Sequence, residues 1–285
     1  MDVKLAVCSI LLLILLVLSR NTNGSNEISN KPIRIEQVVQ SHSSSHHHHH
    51  HHMMDPSTIV FFFLDDLTQG NTMPVYFPNR ELSEATNHLL SKTEADSIPF
   101  SSEKFHYLLE YFSLPENSPQ AMAMEDTLRE CETSPIEGET KLCATSFESM
   151  LDFAKSMIGS GDEIRILSTN HVKRSDNSVL LQRYTIREIR EIKAPKMVAC
   201  HTMPYPYAVF YCHYQESENR IYRVSLEGEN GDEVNAVAVC HMNTSHWSRN
   251  HVSFKVLGAE PGSSPICHFF PADNFVLVPA NSLKE

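Results

Sequence analysis

The sequence predicts an α+β fold: a helical N-terminal half packed on a mainly antiparallel β C-terminal half, stapled by disulfides. Three features carry this expectation. Apolar residues recur at helical spacing between Phe105 and Ile158. After Gly161 the texture changes to short alternating or β-branched runs separated by turn residues. Six cysteines lie downstream of an apolar N-terminal run, which places them where thiols oxidise.

At the N-terminus, Lys4 precedes an unbroken apolar run from Leu5 to Leu18, followed by small and polar residues at Ser19–Ser25. Such a run is too short to span a bilayer and fits the apolar core of a secretory signal, with cleavage expected near Gly24. Residues 1–24 are therefore read as a signal peptide, and no membrane span is expected after it. Residues 25–54 are poor in apolar side chains and hold Ser43–Ser45 and the run His46–His52, which reads as a disordered leader. The seven-His run is open to three readings: an affinity tag, a natural metal-gathering tail, or a segment that charges in an acidic compartment. A flexible His run selects no particular metal and is not evidence of a catalytic site.

The helices follow. Phe105, Leu108, Leu109 and Phe112 form one stripe at i, i+3, i+4 and i+7. Ser118 as N-cap and Pro119 at the first helical position open a second helix, whose stripe Ala121, Met124, Leu128 and Cys131 puts Cys131 on the buried side. Thr145 and Glu148 form a capping-box pattern for a third, burying Phe147, Met150, Leu151, Ala154 and Ile158 and ending at Gly159–Gly161. Cys131 and Cys143 flank a loop containing Pro135 and Gly138, and a bridge between them is expected to pin two helices together. The strands expected next are Arg183–Ile189, Ala208–Tyr214, Arg220–Leu226, Val234–Met242, Val252–Leu257 and Phe275–Val278, with Glu229–Asp232 as one of the turns.

Charge narrows the function classes. With 23 basic against 35 acidic residues, net −12, nucleic acid and anionic membrane are poor partners. No glycine-rich phosphate loop, His-Glu-x-x-His or Gly-x-Ser-x-Gly motif is present. A domain of about 225 residues buries an adequate core without metal or disulfide help, so such features here are functional or reinforcing.

The most informative pattern is four Cys-His dipeptides: Cys200-His201, Cys212-His213, Cys240-His241 and Cys267-His268. Cys and His are suited to soft and borderline transition metals. Neighbouring residues of a strand face opposite sides of a sheet, so in Val209–His213 and Val237–His241 a Cys and its His cannot share one pocket. The division expected is cysteines paired as disulfides on one face and imidazoles converging on the other. Four imidazoles without thiolate suit Cu(II), which makes copper the expected cofactor and His201, His213, His241 and His268 the expected ligands. A mixed zinc site lacks the usual close ligand spacing. The bland alternative keeps the disulfides and leaves the histidines to hydrogen bonding. Six cysteines (Cys131, Cys143, Cys200, Cys212, Cys240 and Cys267) allow 15 pairings, which the sequence does not choose among.

Around the pairs, Pro204-Tyr205-Pro206-Tyr207 reads equally as the lining of a peptide groove or as a stiff loop with packed aromatics. Trp247, the only Trp, reads as a core or pocket-wall anchor. Asn243-Thr244-Ser245 is a glycosylation acceptor candidate once the chain is secreted. His88, His106, His171 and His246 read as surface or helix residues.

The spacing of the four pairs resembles the signature of the plant BURP domain. Other matching stretches are Val60–Leu64, Ala95–Phe100, Met122–Leu128, Cys143–Ser146 and Lys196–His201. The resemblance spans residues 55–280, between the leader and a short tail at 281–285, and implies the BURP-domain fold. It also implies a native origin for the His run, since His-rich stretches precede the domain in this family. His251 stands where the family carries His, and it becomes a fifth ligand candidate. Some BURP proteins are copper-dependent cyclases that oxidatively join a Trp or Tyr side chain of a core peptide in their own chain. Here no Trp or Tyr lies between Ser25 and Val60. The implied activity is therefore cyclisation in trans, with the four pair histidines as catalytic residues and a separate peptide as substrate. The alternative implied by other members is a non-catalytic seed, stress-associated or cell-wall scaffold, whose partner is a wall component. Both place the protein in the secretory pathway, in vacuole or apoplast, and neither fixes an oligomeric state.

Overall fold

The computed structural model describes residues 56–80, 88–159, 161 and 163–283. The expected signal peptide, the leader and His46–His52 lie outside them. Two strands come first, β1 (Phe61–Phe63) and β2 (Thr72–Tyr76). Three helices follow: α1 (Lys92–Ser97), α2 (Phe105–Tyr111) and α3 (Pro119–Glu132). Strand β3 (Glu139–Ala144) then precedes α4 (Phe147–Ile158). The rest is mostly strand: β4 (Ile164–Ser168), β5 (Asn170–Lys173), β6 (Leu181–Ile192), β7 (Val198–Met203), β8 (Val209–Gln215), β9 (Asn219–Gly228) and β10 (Glu233–His241). After helix α5 (Val252–Leu257) come β11 (Ile266–Phe270) and β12 (Phe275–Pro279).

These strands form two antiparallel sheets. The first runs β1-β11-β10-β9-β6-β2 with β5 also on β10, and the second runs β3-β8-β7-β12-β4. A cluster drawn from both sheets joins Ala199, Val276 and Val278 of one to Ile221, Val237, Val239 and Phe270 of the other. On its far face the first sheet carries Phe62, Phe77, Tyr184, Cys240, Cys267 and Phe269. The second sheet's far face carries Cys200, Cys212, Phe210 and Phe275 against Met150, Phe153, Ala154 and Ile158 of α4. A satellite cluster holds Leu108 and Leu109 of α2 with Met124 and Leu128 of α3.

The fold is thus mostly antiparallel β with few helices, and the expected helical N-terminal half does not form. Strands β1 and β2 precede every described α-helix, and β3 falls between α3 and α4. The reason is non-local pairing: Phe61–Phe63 is only three residues long and becomes a strand by lying against β11, some two hundred residues on. Within the helical stretch, Ser118 caps α3 by accepting from Ala121 N–H, as expected. The cap of α4 is Ser146, whose Oγ accepts from Ser149 N–H, rather than Thr145 with Glu148. Phe147 is 39% exposed, and Phe153 is buried in its place, against the second sheet. Val252–Leu257 is a helix rather than a strand: His251 caps its start, and Gly258, at φ +64°, takes the left-handed turn that ends it. Among the described residues no helix is long and apolar enough to cross a membrane.

One buried carboxylate ties the first sheet together. Asp232, in the β9–β10 turn, accepts from Ser175 N–H at 2.7 Å, Ser178 Oγ at 2.7 Å and Gln182 Nε2 at 2.9 Å. The same turn brings Gly228 against Gln182, whose Oε1 would sit 2.5 Å from a Cβ added there. Burial by itself would raise the Asp232 carboxyl, but hydrogen bonds led by Ser175 and Ser178 outweigh it and hold it down to about 2, against an ordinary 3.8. A depressed folded-state value stabilises the fold above the unfolded value and loses that stabilisation as pH falls through the folded one. Asp232 should therefore contribute about 2 kcal/mol near neutrality that disappears between about pH 4 and pH 2. Denaturant titrations across that window should show this slope in the parent and its absence in Asp232→Asn; an unchanged slope would refute the assignment.

Candidate metal centre

The four Cys-His pairs lie on two pairs of adjacent strands, one pair of strands in each sheet. In the second sheet Cys200 of β7 stands directly opposite Cys212 of β8; in the first, Cys240 of β10 stands opposite Cys267 of β11. Both are disulfides, with Cα–Cα separations of 4.1 and 4.0 Å. Once two cysteines face each other in an antiparallel ladder, the residue after each lies on the opposite face, offset diagonally by two positions. That places His201 beside His213, and His241 beside His268. Their Nε2 atoms meet at 3.4 Å in both pairs. The expected division of faces is what forms, and the cystines are fully buried on the far sides.

The third disulfide is Cys131–Cys143, as expected. It fastens α3 to strand β3 rather than helix to helix, and Cys131 is half-buried.

The two imidazole pairs face one another between the sheets. His201 and His268 have ring centroids 5.8 Å apart, and both stack on Phe270, at 5.0 and 4.8 Å. Phe61 packs on His268 at 5.7 Å, and Trp247 stands edge-on to His241 at 4.9 Å. Burial, and after it the neighbouring imidazoles, pushes His201 and His241 well below the ordinary histidine range. Burial likewise brings His268 down to about 3. These rings are neutral at physiological pH, the form that ligates a metal.

Does this set fit a metal? Two nitrogens bound at about 2.0–2.1 Å to one ion stand about 2.9 Å apart at the right angle of a tetragonal site and about 3.3–3.4 Å apart at a tetrahedral angle. Each pair lies at the wide end of that range, so a tetragonal ion would draw its two rings a few tenths of an ångström together, and the cysteines are occupied elsewhere. Among the described residues, however, no three His, Cys, Asp or Glu side chains are closed around one point as a finished site. The fit is therefore pairwise.

Two residues that sequence reasoning missed stand behind the imidazoles. Asn219 Oδ1 lies 2.7 Å from His241 Nδ1, and Glu139 Oε1 lies 3.0 Å from His213 Nδ1 in a short, poorly aligned contact. Burial would raise the Glu139 carboxyl, but His213, first by hydrogen bonding, outweighs it and holds it below its usual value. An isolated Glu after Pro135 and Gly138, and an Asn in an acidic turn, carry no local signal of this role.

The remaining expected site residues fall into two groups. His251 caps α5: its Nδ1 accepts from Ser253 N–H at 3.3 Å, so in the neutral ring the proton sits on Nε2. It packs on Trp247 at 4.5 Å and Phe61 at 6.1 Å, at the wall of the histidine cluster. Tyr205 and Tyr207 pack instead on Phe100 and Phe112 of the helical satellite, with both hydroxyls buried and unpartnered. Burial pushes the Tyr207 phenol up to about 12. Neither tyrosine touches Trp247 among the described ring contacts. Asn243 is exposed just beyond β10.

A family model for the BURP domain matches residues 60–279. The BURP domain-containing protein BNM2A of Brassica napus is 44% identical over 219 residues, which is 75% of this chain and 77% of that protein. The BURP domain protein USPL1 of Arabidopsis thaliana is 42% identical over 219 residues, 75% of this chain and 78% of that one. The BURP domain protein RD22 of Arabidopsis thaliana is 42% identical over 213 residues, covering 74% and 53%.

Proposed function

We propose that this chain, which belongs to the BURP-domain family, binds copper on His201, His213, His241 and His268 and oxidatively joins a Trp or Tyr side chain of a separate peptide to another of its residues. The observation that supports it is the pair of Nε2–Nε2 approaches at 3.4 Å, one from each sheet, between partly buried imidazoles. Copper, when bound, would supply with dioxygen the two successive one-electron oxidations that such joining needs, the two hydrogens lost from the peptide reducing dioxygen to hydrogen peroxide. The protein's part is to bind and exclude water. The cystines keep thiolates out of the ligand set, and Phe61, Phe270 and Trp247 wall the cluster. His251 stands outside the paired imidazoles in this reading: its Nδ1 is engaged by Ser253 at the cap of α5, and its ring packs on Trp247 at the wall of the cluster.

Trp247 makes the proposal testable without knowing the peptide. It is the only Trp of the chain and touches a proposed ligand ring. In protein with His46–His52 replaced by Ser, Cu(II) should quench its fluorescence in a saturable, stoichiometric titration, and Zn(II) should quench far less. Absence of quenching and of bound copper in a folded protein would overturn the proposal and leave the scaffold reading. Peptides bearing Trp or Tyr, incubated with the loaded protein, should then lose the mass of two hydrogens.

A further inference from the structure

Resting on the copper reading, the geometry points to Glu139 and Asn219 as positioning residues that hold the Nδ1–H of His213 and His241 and so turn both Nε2 lone pairs into the space between the sheets. The Asn219 case is decided by a second contact. Its Nδ2 donates to Ser217 O at 2.8 Å, which fixes the amide so that Oδ1 faces His241. An amide oxygen only accepts, so the His241 proton sits on Nδ1 and its Nε2 is bare. Glu139 is placed to act on His213 by charge rather than through an aligned hydrogen bond: its Oε1 lies 3.0 Å from an Nδ1 that has no aligned partner, and the two side chains are only 9% and 12% exposed. Its other oxygen, Oε2, accepts from Ile136 N–H at 3.4 Å, which tethers the group to the turn before β3.

The architecture repeats this device. In each sheet one of the two His-bearing strands carries the oriented ring, and its other neighbour carries the acceptor: β9 toward the centre of the first sheet, β3 at the edge of the second. Asn219 of β9 is directly paired with His241 of β10. Glu139 of β3 is diagonal to His213 of β8, which pairs with Lys141. Without metal, each of these Nε2 atoms faces the Nε2 of the opposing ring at 3.4 Å. Acceptors of this kind fix ring orientation, and their loss weakens metal affinity by about 10–100-fold.

The test uses full-length chain with His46–His52 replaced by Ser, and two readouts. The first is the imidazole tautomer by 15N NMR on metal-free protein: His213 and His241 should carry Nδ1–H. The second is Cu(II) affinity by competition with a chelator. Glu139→Leu and Asn219→Leu, which remove the acceptor, should each weaken Cu(II) by about 10–100-fold and release the corresponding tautomer. Glu139→Gln and Asn219→Asp, which keep an oxygen in place, should stay within about threefold of the parent and cover the case where a leucine variant does not fold. Nε2–H on His213 or His241 in the parent would overturn the inference, even if copper binds. So would leucine variants that keep parental affinity and tautomer. Correct tautomers in a protein that binds no copper would support the positioning geometry and overturn the copper reading alone.

Discussion

Replacing Cys240 and Cys267 together with Ala should cost about 4 kcal/mol, the largest stability loss expected of any disulfide here. The bridge closes a loop with a sequence separation of 27, against 12 for each of the other two. On a chain-entropy basis the longer loop is worth about 3.5 kcal/mol and the shorter ones about 2.8. The sulfurs also fill the fully buried face beside Phe62, Tyr184 and Phe269, so removing them leaves space that the sheet cannot close without moving β10 or β11. Cys131–Cys143 joins half-buried positions at the edge and should cost less when removed. Urea unfolding of each double-alanine variant, compared at matched slope, reads the order directly. A loss for Cys240→Ala/Cys267→Ala below that for Cys131→Ala/Cys143→Ala would contradict it. The same pair holds β10 and β11 in the register that sets His241 diagonal to His268. A weakened ladder should therefore loosen the metal centre before it unfolds the domain.

What the sequence showed of this depended on how far apart the determining residues lie. Alternation within Val209–His213 and Val237–His241 was enough to put cysteines and histidines on opposite faces, because that is a property of a single strand. Strands β6, β8, β9, β10 and β12 were legible for the same reason, as was the Ser118 cap. Which cysteines pair was not, since register between β7 and β8 or β10 and β11 is set by contacts between strands. β1 and β2 are short and derive their structure from β11 and β6, remote in sequence. Val252–Leu257 has the alternating, β-branched look of a strand, yet the cap at His251 and the left-handed Gly258 make it a helix. Glu139 and Asn219 escaped notice because their role exists only across the ladder.

Changing His201, His213, His241 and His268 all to Gln should reduce copper, in protein with His46–His52 replaced by Ser, from a saturable site to background after dialysis. Gln keeps a side chain of comparable reach and hydrogen-bonding capacity but offers no imidazole lone pair to copper. Pairwise variants then separate two architectures. The pairs come from different sheets, and among the described ring contacts the His pair that spans the gap is His201–His268, at 5.8 Å between centroids. If one ion is shared, His201→Gln/His213→Gln and His241→Gln/His268→Gln should each abolish binding. If each pair holds its own ion, each double variant should keep half the copper. Trp247 divides the cases again, because it touches His241 and neither His201 nor His213 among the described ring contacts. With separate ions, its quenching should survive His201→Gln/His213→Gln and vanish in His241→Gln/His268→Gln. Full copper retention in the folded quadruple variant would rule out the centre altogether, and the imidazole pairs would then be hydrogen-bonded struts between two disulfide-stapled sheets.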